Sequence, residues 1–388
     1  MGGTTRRDAI ASRLSFYYKI GGKSMGKREL LIAIVFAALA AVVYQVTSTP
    51  TGNGEGFTLS RFWNHLRRSM PDRASATEVS TVSIPVPAAI SGVRVAEISG
   101  GVTIAGEERD DIAAEFTVRA NATDDALAAA CAKSARLKVD TVGVTLAFGP
   151  IYQRECRSVG TLALKVPRRL TARIEGGNGL RVSDISALRV VGSSGGAVLA
   201  GITSGITGDL RAGSVQITDA GPIDLTLNGT QSTITNVRGT LRLDLRTGRC
   251  VVTGVTGNAE IEERQTDLDL HDTKGLVRVG GTGGRLRVFA PQGEVRIDVR
   301  RSTLSAEVSK AVPLSLSTTD GTIDVRLSDG LPVDLDAAAT DGNIVAGDWQ
   351  LTATKSDHDA RLTHTWGTAA LVSLRSSRGD ITIKKLDR

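Results

Sequence analysis

The chain has 388 residues, 41% apolar and 23% charged, an ordinary composition for a folded protein long enough for two or more domains. Its formal charge of +6 belongs to the first 28 residues, where Arg6, Arg7, Arg13, Lys19, Lys23, Lys27 and Arg28 face one acid, Asp8; the remainder balances. A phosphate-binding surface needs excess basic charge on the folded part, which excludes nucleic acid as a partner, and three Cys and four His leave little material for metal or nucleophile chemistry.

Residues 1–28 read as a basic cytoplasmic segment and 29–47 as a transmembrane anchor or signal-anchor. Leu30 to Val46 is an apolar run interrupted only by Gln45, near the lower length limit of a spanning helix. Basic residues precede it and none follows before Arg61, so the amino terminus stays cytoplasmic and the rest is exported. A cleaved signal peptide is the competing reading, with Ala38-Leu39-Ala40 as the small-x-small site and Met25 as an alternative start. The long polar lead favours the anchor. The lipid bilayer is then a partner through this helix.

Residues 48–80 read as a linker, flexible at Thr51 to Gly56. Within it Leu59, Phe62, Trp63, Leu66 and Met70 recur at helical spacing. Phe62, Trp63 and Leu66 would lie in the outer leaflet as an interfacial helix, or the same face would pack on the next domain. Residues 81–159 read as a strand-rich cap with one helix over Asp124 to Leu137.

Residues 160–388 carry a repeat. Gly221, Gly239, Gly257, Gly275 and Gly293 are each 18 residues apart. In the five blocks the third place reads Ile223, Leu241, Ala259, Val277, Val295, the fifth Leu225, Leu243, Ile261, Val279, Ile297, and the fourteenth Ile234, Val252, Leu270, Val288, Ala306. Apolar residues at period two mark half-buried strands. Blocks this short fit neither a propeller blade nor a helical repeat. The fold class expected is all-β, a single-stranded right-handed β-solenoid of about 18-residue coils behind a transmembrane helix, with roughly a dozen coils and several short strands in each. The fourth place reads Asp224, Arg242, Glu260, Arg278, Arg296, an outward column expected to form cross-strand ion pairs. Thr319-Asp320-Gly321 and Thr340-Asp341-Gly342 supply Asp-Gly turns. Lys384 and Lys385, with Asp387 and Arg388, would blunt the far end.

Ser99-Gly-Gly-Val-Thr-Ile-Ala-Gly106, Leu162-Ala-Leu-Lys-Val-Pro167, the successive Gly-x-Val/Leu-x-Val units and the closing Leu374-Arg-Ser-Ser-Arg-Gly-Asp-Ile-Thr-Ile383 together resemble the bacterial "putative adhesin" family of unknown function, over about residues 82–385. The resemblance implies a β-solenoid with a strand-rich amino-terminal cap, often behind a membrane anchor, and carries no catalytic residues. The loose stretch from Trp349 to Trp366 departs from it.

Cys250 falls where later blocks carry Leu268, Leu286 and Leu304 and reads as a buried hydrophobe. Cys131 and Cys156 are a candidate disulfide in an exported domain. Asp357-His358-Asp359 with His364 is the densest set of potential metal ligands, but its spacing is not that of a zinc site and no metal or cofactor is expected. His271-Asp272 reads as a solvated turn. Trp349, His358, His364 and Trp366 form the one candidate ligand site. No catalytic set can be nominated, so the chain is read as a non-enzymatic, membrane-tethered envelope module for surface display, scaffolding or adhesion, with an envelope protein or polysaccharide as partner. The alternatives are a carbohydrate-binding or carbohydrate-active solenoid with its site near 349–366, and a scaffold that polymerises end to end.

Overall fold

The alternation seen in the sequence becomes inside and outside. Ile223, Leu225 and Leu227 are buried while Asp224 points out, and all fifteen third-, fifth- and fourteenth-place residues are buried. The structure, a computed structural model, describes residues 74–367 and 369–386. The segments 1–28 and 29–47 and the helix bearing Phe62, Trp63 and Leu66 lie outside the described residues. Among those described, no helix is long and apolar enough to cross a membrane.

In chain order β1 (Ala74–Pro85), β2 (Gly92–Ala96), β3 (Val102–Glu107) and β4 (Asp111–Ala122) lead to helix α1 (Asp125–Ser134). Then come β5 (Arg136–Val142), β6 (Thr145–Ile151), β7 (Arg157–Pro167), β8 (Thr171–Glu175) and β9 (Asn178–Ser183). The long strands are β10 (Ala187–Ala200), β11 (Gly205–Ala220), β12 (Ile223–Val237), β13 (Leu241–Val255), β14 (Ala259–His271), β15 (Val277–Phe289) and β16 (Val295–Val308). The chain closes with β17 (Leu314–Thr319), β18 (Ile323–Leu327), β19 (Val333–Thr340), β20 (Ile344–Val345), β21 (Thr354–Lys355), β22 (Asp359–Thr365), β23 (Ala370–Ser376) and β24 (Ile381–Lys385). Strand β1 begins inside the stretch read as linker.

From β8 to β18 the chain winds through about nine successive turns of parallel solenoid, not the dozen expected. Neighbouring turns pair in register, Ile223 with Leu241 with Ala259 with Val277 with Val295. Each long strand nearly fills its coil instead of dividing into short ones, because the bend is made by one residue in left-handed conformation. That corner stacks as Ala212, Gly229, Thr247, Gln265, Gly283 and Arg301, with φ between 53 and 76°. A second corner stacks as Asp219, Asn236, Gly254, Asp272 and Ala290, at four of its five places using the Asp, Asn and Gly that tolerate positive φ best.

The periodic glycines answer a different constraint. A methyl group on Gly275 would overlap the carbonyl oxygen of Gly257, and one on Gly257 that of Gly239. In the two Asp-Gly turns the positive φ falls on Asp320 (61°) and Asp341 (52°), while Gly321 permits close approach to the Ser302 carbonyl.

Both ends leave chain order. At the amino-terminal end β2 lies between β6 and β8, and β3 between β7 and β9, so part of the segment read as a cap consists of rungs of the solenoid. Antiparallel β5 then covers β6, and antiparallel β4 covers β7 with β1 outside it. At the other end β23 lies between β17 and β19, and β24 between β18 and β20. The chain passes over one rung, builds the outer one, turns back through β21 and β22, and fills the gap last. Lys384 and Lys385 therefore sit within the ladder rather than blunting it; antiparallel β22 covers β19 instead, protecting an edge of unpaired backbone.

Helix α1 matches its expected start: Asp124 caps it, its carboxylate accepting from Leu127 N–H at 2.8 Å. Cys131 Sγ is bonded to Cys156 Sγ across 25 residues of sequence. With Ala120 and Ala132 this bridge forms a small core separate from that of the solenoid. Cys250 is free and buried in the main core, and burial pushes its thiol up to about 12, with the Asp269 charge adding to the effect.

Candidate functional site

The first segment of every coil contributes to one parallel sheet whose outward residues stack in columns. One column reads Arg94, Arg173, Arg189, Thr207, Asp224, Arg242, Glu260, Arg278, Arg296. Two residues further along each strand the column is acidic, with Asp209, Asp244, Glu262 and Asp298, and two further still it is basic, with Arg211, Arg246, Arg264 and Arg300. Of the ion pairs expected down the first column, Arg242–Glu260 forms at 3.2 Å. Arg296 turns instead to Glu294, the residue just before its strand, while Arg246 turns to Asp244 of its own strand at 2.7 Å and Arg211 to Asp209 at 3.4 Å. Residues i and i+2 share a strand face, and a guanidinium reaches along the strand as readily as across it. The hydrogen bond from Arg246 holds the Asp244 carboxyl below its usual range.

Among the described residues, open grooves cross this sheet, three of them over its charged columns. One of about 390 Å³ is lined by Glu262, Arg278, Gly280 and Arg296, and another of about 620 Å³ by Asp224, Arg242, Asp244 and Arg264. The third, about 570 Å³, runs over β6, β2, β8, β10 and β11. Its floor is Gly92, Thr145, Thr171, Ala187 and Gly205, and Arg94, Arg173 and Arg189 stand beside it in a row. Gly92 keeps this floor low, since a Cβ there would approach Thr171 Oγ1 at 2.7 Å. Glu175 accepts from Arg94 Nη2 and from Arg173 Nε, each at 2.6 Å. The Arg94 hydrogen bond, against the opposing effect of burial and with help from Arg173, holds the Glu175 carboxyl below its usual range.

The residues expected to form a ligand site meet only in part. Trp349 and Trp366 lie with ring centroids 4.7 Å apart, His364 meets Trp366 at 4.6 Å, and Lys385 Nζ stands 4.9 Å from the Trp349 ring. Both indoles pack on the end of the main core and line none of the three grooves. His358 is elsewhere, exposed, with Nδ1 2.9 Å from Asp341 Oδ1. The Arg94–Arg173–Arg189 row was missed because β2 reaches β8 out of chain order, and no periodic signal marks that step.

On the other sheet Asp269 accepts from Arg287 Nε at 2.6 Å and Arg249 Nη2 at 2.9 Å. Burial raises its carboxyl, but the two arginines outweigh it and the net direction is downward. Of His271-Asp272, expected to form a solvated turn, Asp272 makes the corner while His271 stacks on Phe289 with centroids 4.5 Å apart. Among the described residues no group of three or more His, Cys, Asp or Glu is placed to hold a metal ion.

The class these observations define is a parallel β-solenoid with charge-striped faces. No family model matches the chain, and no curated protein does. Its fold is similar to a "putative adhesin" of Parabacteroides merdae, at 12% identity and TM-score 0.38, covering 64% of this chain and 96% of that one. It is similar also to a "putative adhesin" of Parabacteroides distasonis, at 8% identity and TM-score 0.33, covering 80% and 97%. A third likeness is to a "putative lipid binding protein" of the same organism, at 12% identity and TM-score 0.30, again covering 80% and 97%. Similarities of this size concern the fold and assign no activity.

Proposed function

We propose that the chain is a non-enzymatic module of the bacterial envelope, held at the membrane by its amino-terminal helix and displaying a right-handed solenoid outside the cytoplasm. The observation that carries this reading is the run of about nine uninterrupted parallel turns with charged outward columns, a stiff surface suited to scaffolding or adhesion. The Cys131–Cys156 bridge supports export, because such bonds persist in oxidising compartments. Covering strands at both ends weigh against polymerisation by continued ladder pairing. The carbohydrate reading near 349–366 would need the two indoles to expose a flat ring face, and instead they meet each other at a tilt of 50° and pack on the end of the core.

The test is a thiol count on the full chain expressed in bacteria and denatured without reductant. An exported chain has one reactive thiol, Cys250, of its three cysteines. Three reactive thiols would place the domain in a reducing compartment and overturn the reading.

A further inference from the structure

From the groove over β6, β2, β8, β10 and β11 we propose a binding site for a linear acidic polysaccharide, one bearing a carboxylate on successive sugars, lying along the solenoid axis. The inference deepens the envelope-module reading and rests on it for access to such a polymer. The groove crosses five strands, about 20 Å at the usual spacing, and a chain laid along it runs perpendicular to the strands. Arg94, Arg173 and Arg189 occupy the same place on three adjacent strands, so positive charge repeats once per rung, a distance close to one sugar of an extended glycan.

The side chains of this groove suit such a polymer. Glu175 bridges Arg94 and Arg173, which holds two guanidiniums upright while each keeps donors free, since a guanidinium has five N–H groups. Among the described residues Arg189 is exposed and makes no ion pair or hydrogen bond. The three arginines and Glu175 together carry a net charge of about +2, and planar guanidinium matches carboxylate in paired hydrogen bonds. Opposite the row, the floor is made of Gly92, Ala187 and Gly205 with the hydroxyls of Thr145 and Thr171, low enough for a sugar ring and equipped for its hydroxyl groups. No aromatic residue lines the groove, so recognition here rests on charge and hydroxyls rather than on ring stacking. Exposed Val142, the last residue of β5, stands at one end of it.

The experiment titrates the full chain in detergent with oligogalacturonate, with a neutral glucan of equal length and with single-stranded DNA of equal charge. The expected result is binding of oligogalacturonate, weakened by salt, with the neutral glucan and DNA much weaker. Arg189→Gln is expected to weaken oligogalacturonate binding about tenfold, the loss of one charge-assisted hydrogen bond, while Arg278→Gln on the same sheet, outside the groove, leaves it unchanged. Both arginines are exposed, and thermal melts of the variants exclude a folding defect. Absence of oligogalacturonate binding, equal binding of DNA, or equal loss in Arg189→Gln and Arg278→Gln overturns the proposal. The thiol count above is independent of all these outcomes, so the envelope reading can stand when this site fails.

Discussion

Glu263 is a carboxylate enclosed by the solenoid core, and it makes stability depend on pH near neutrality. It occupies the inward column of Leu227, Leu245, Glu263, Gly281 and Val299 and is fully buried. Gly281 makes room for it: a Cβ there would lie 2.9 Å from Glu263 Cγ. One carboxyl oxygen accepts a long bond, 3.4 Å, from Thr266 N–H, and the other has no partner. Burial raises the carboxyl from its ordinary 4.5 to about 7. Between those values the folded chain keeps a proton that the unfolded chain has released. Stability is therefore greatest below pH 4.5 with respect to this group and is lost as pH rises toward 7, by about 3 kcal/mol in all. Glu263→Gln keeps the shape and removes the titration. Urea unfolding at pH 5 and pH 8, with amide exchange across β14 and β15, is expected to show wild type losing stability that the variant retains. Parallel loss in both proteins would refute the assignment of a buried, neutral Glu263.

The Cys131–Cys156 bridge closes a 25-residue separation, for which loop-closure entropy gives about 3.5 kcal/mol; Cys131→Ala with Cys156→Ala should lower the melting temperature of the cap, and an unchanged melt would mean the helix is held by packing alone. Gly275→Ala separates two effects of opposite sign: backbone entropy alone would stabilise by about 0.4–1 kcal/mol, whereas overlap with the Gly257 carbonyl should destabilise by about 1–3 kcal/mol, and denaturant midpoints decide. Thr247 is β-branched at φ 55°, so Thr247→Gly is expected to stabilise by about 1 kcal/mol; a loss of stability would show that its hydroxyl bond to the Arg246 carbonyl at 2.7 Å outweighs backbone strain. Asp269→Asn, which leaves Arg287 and Arg249 without their shared carboxylate, should cost about 1–3 kcal/mol at neutral pH, read by the same unfolding curves.

What the sequence determined alone is the repeating middle of the protein. Between successive coils the spatial neighbour lies one fixed period away along the chain, so a column of the fold is a column of the text. Ile223, Leu241, Ala259, Val277 and Val295 could thus be placed inside, and Cys250 among the leucines, without coordinates. Charge pairing was legible only as opportunity, because a long guanidinium chooses between the next coil and its own strand by packing, as Arg246 does with Asp244. Tertiary structure decided the ends. There β2 joins β8, and β23 enters between β17 and β19, through partners dozens of residues apart that no period announces. Pairing there is fixed by which backbone edge would otherwise be left open, a property of the assembled sheet. The same long-range step that closes the amino-terminal end brings Arg94 beside Arg173 and Arg189.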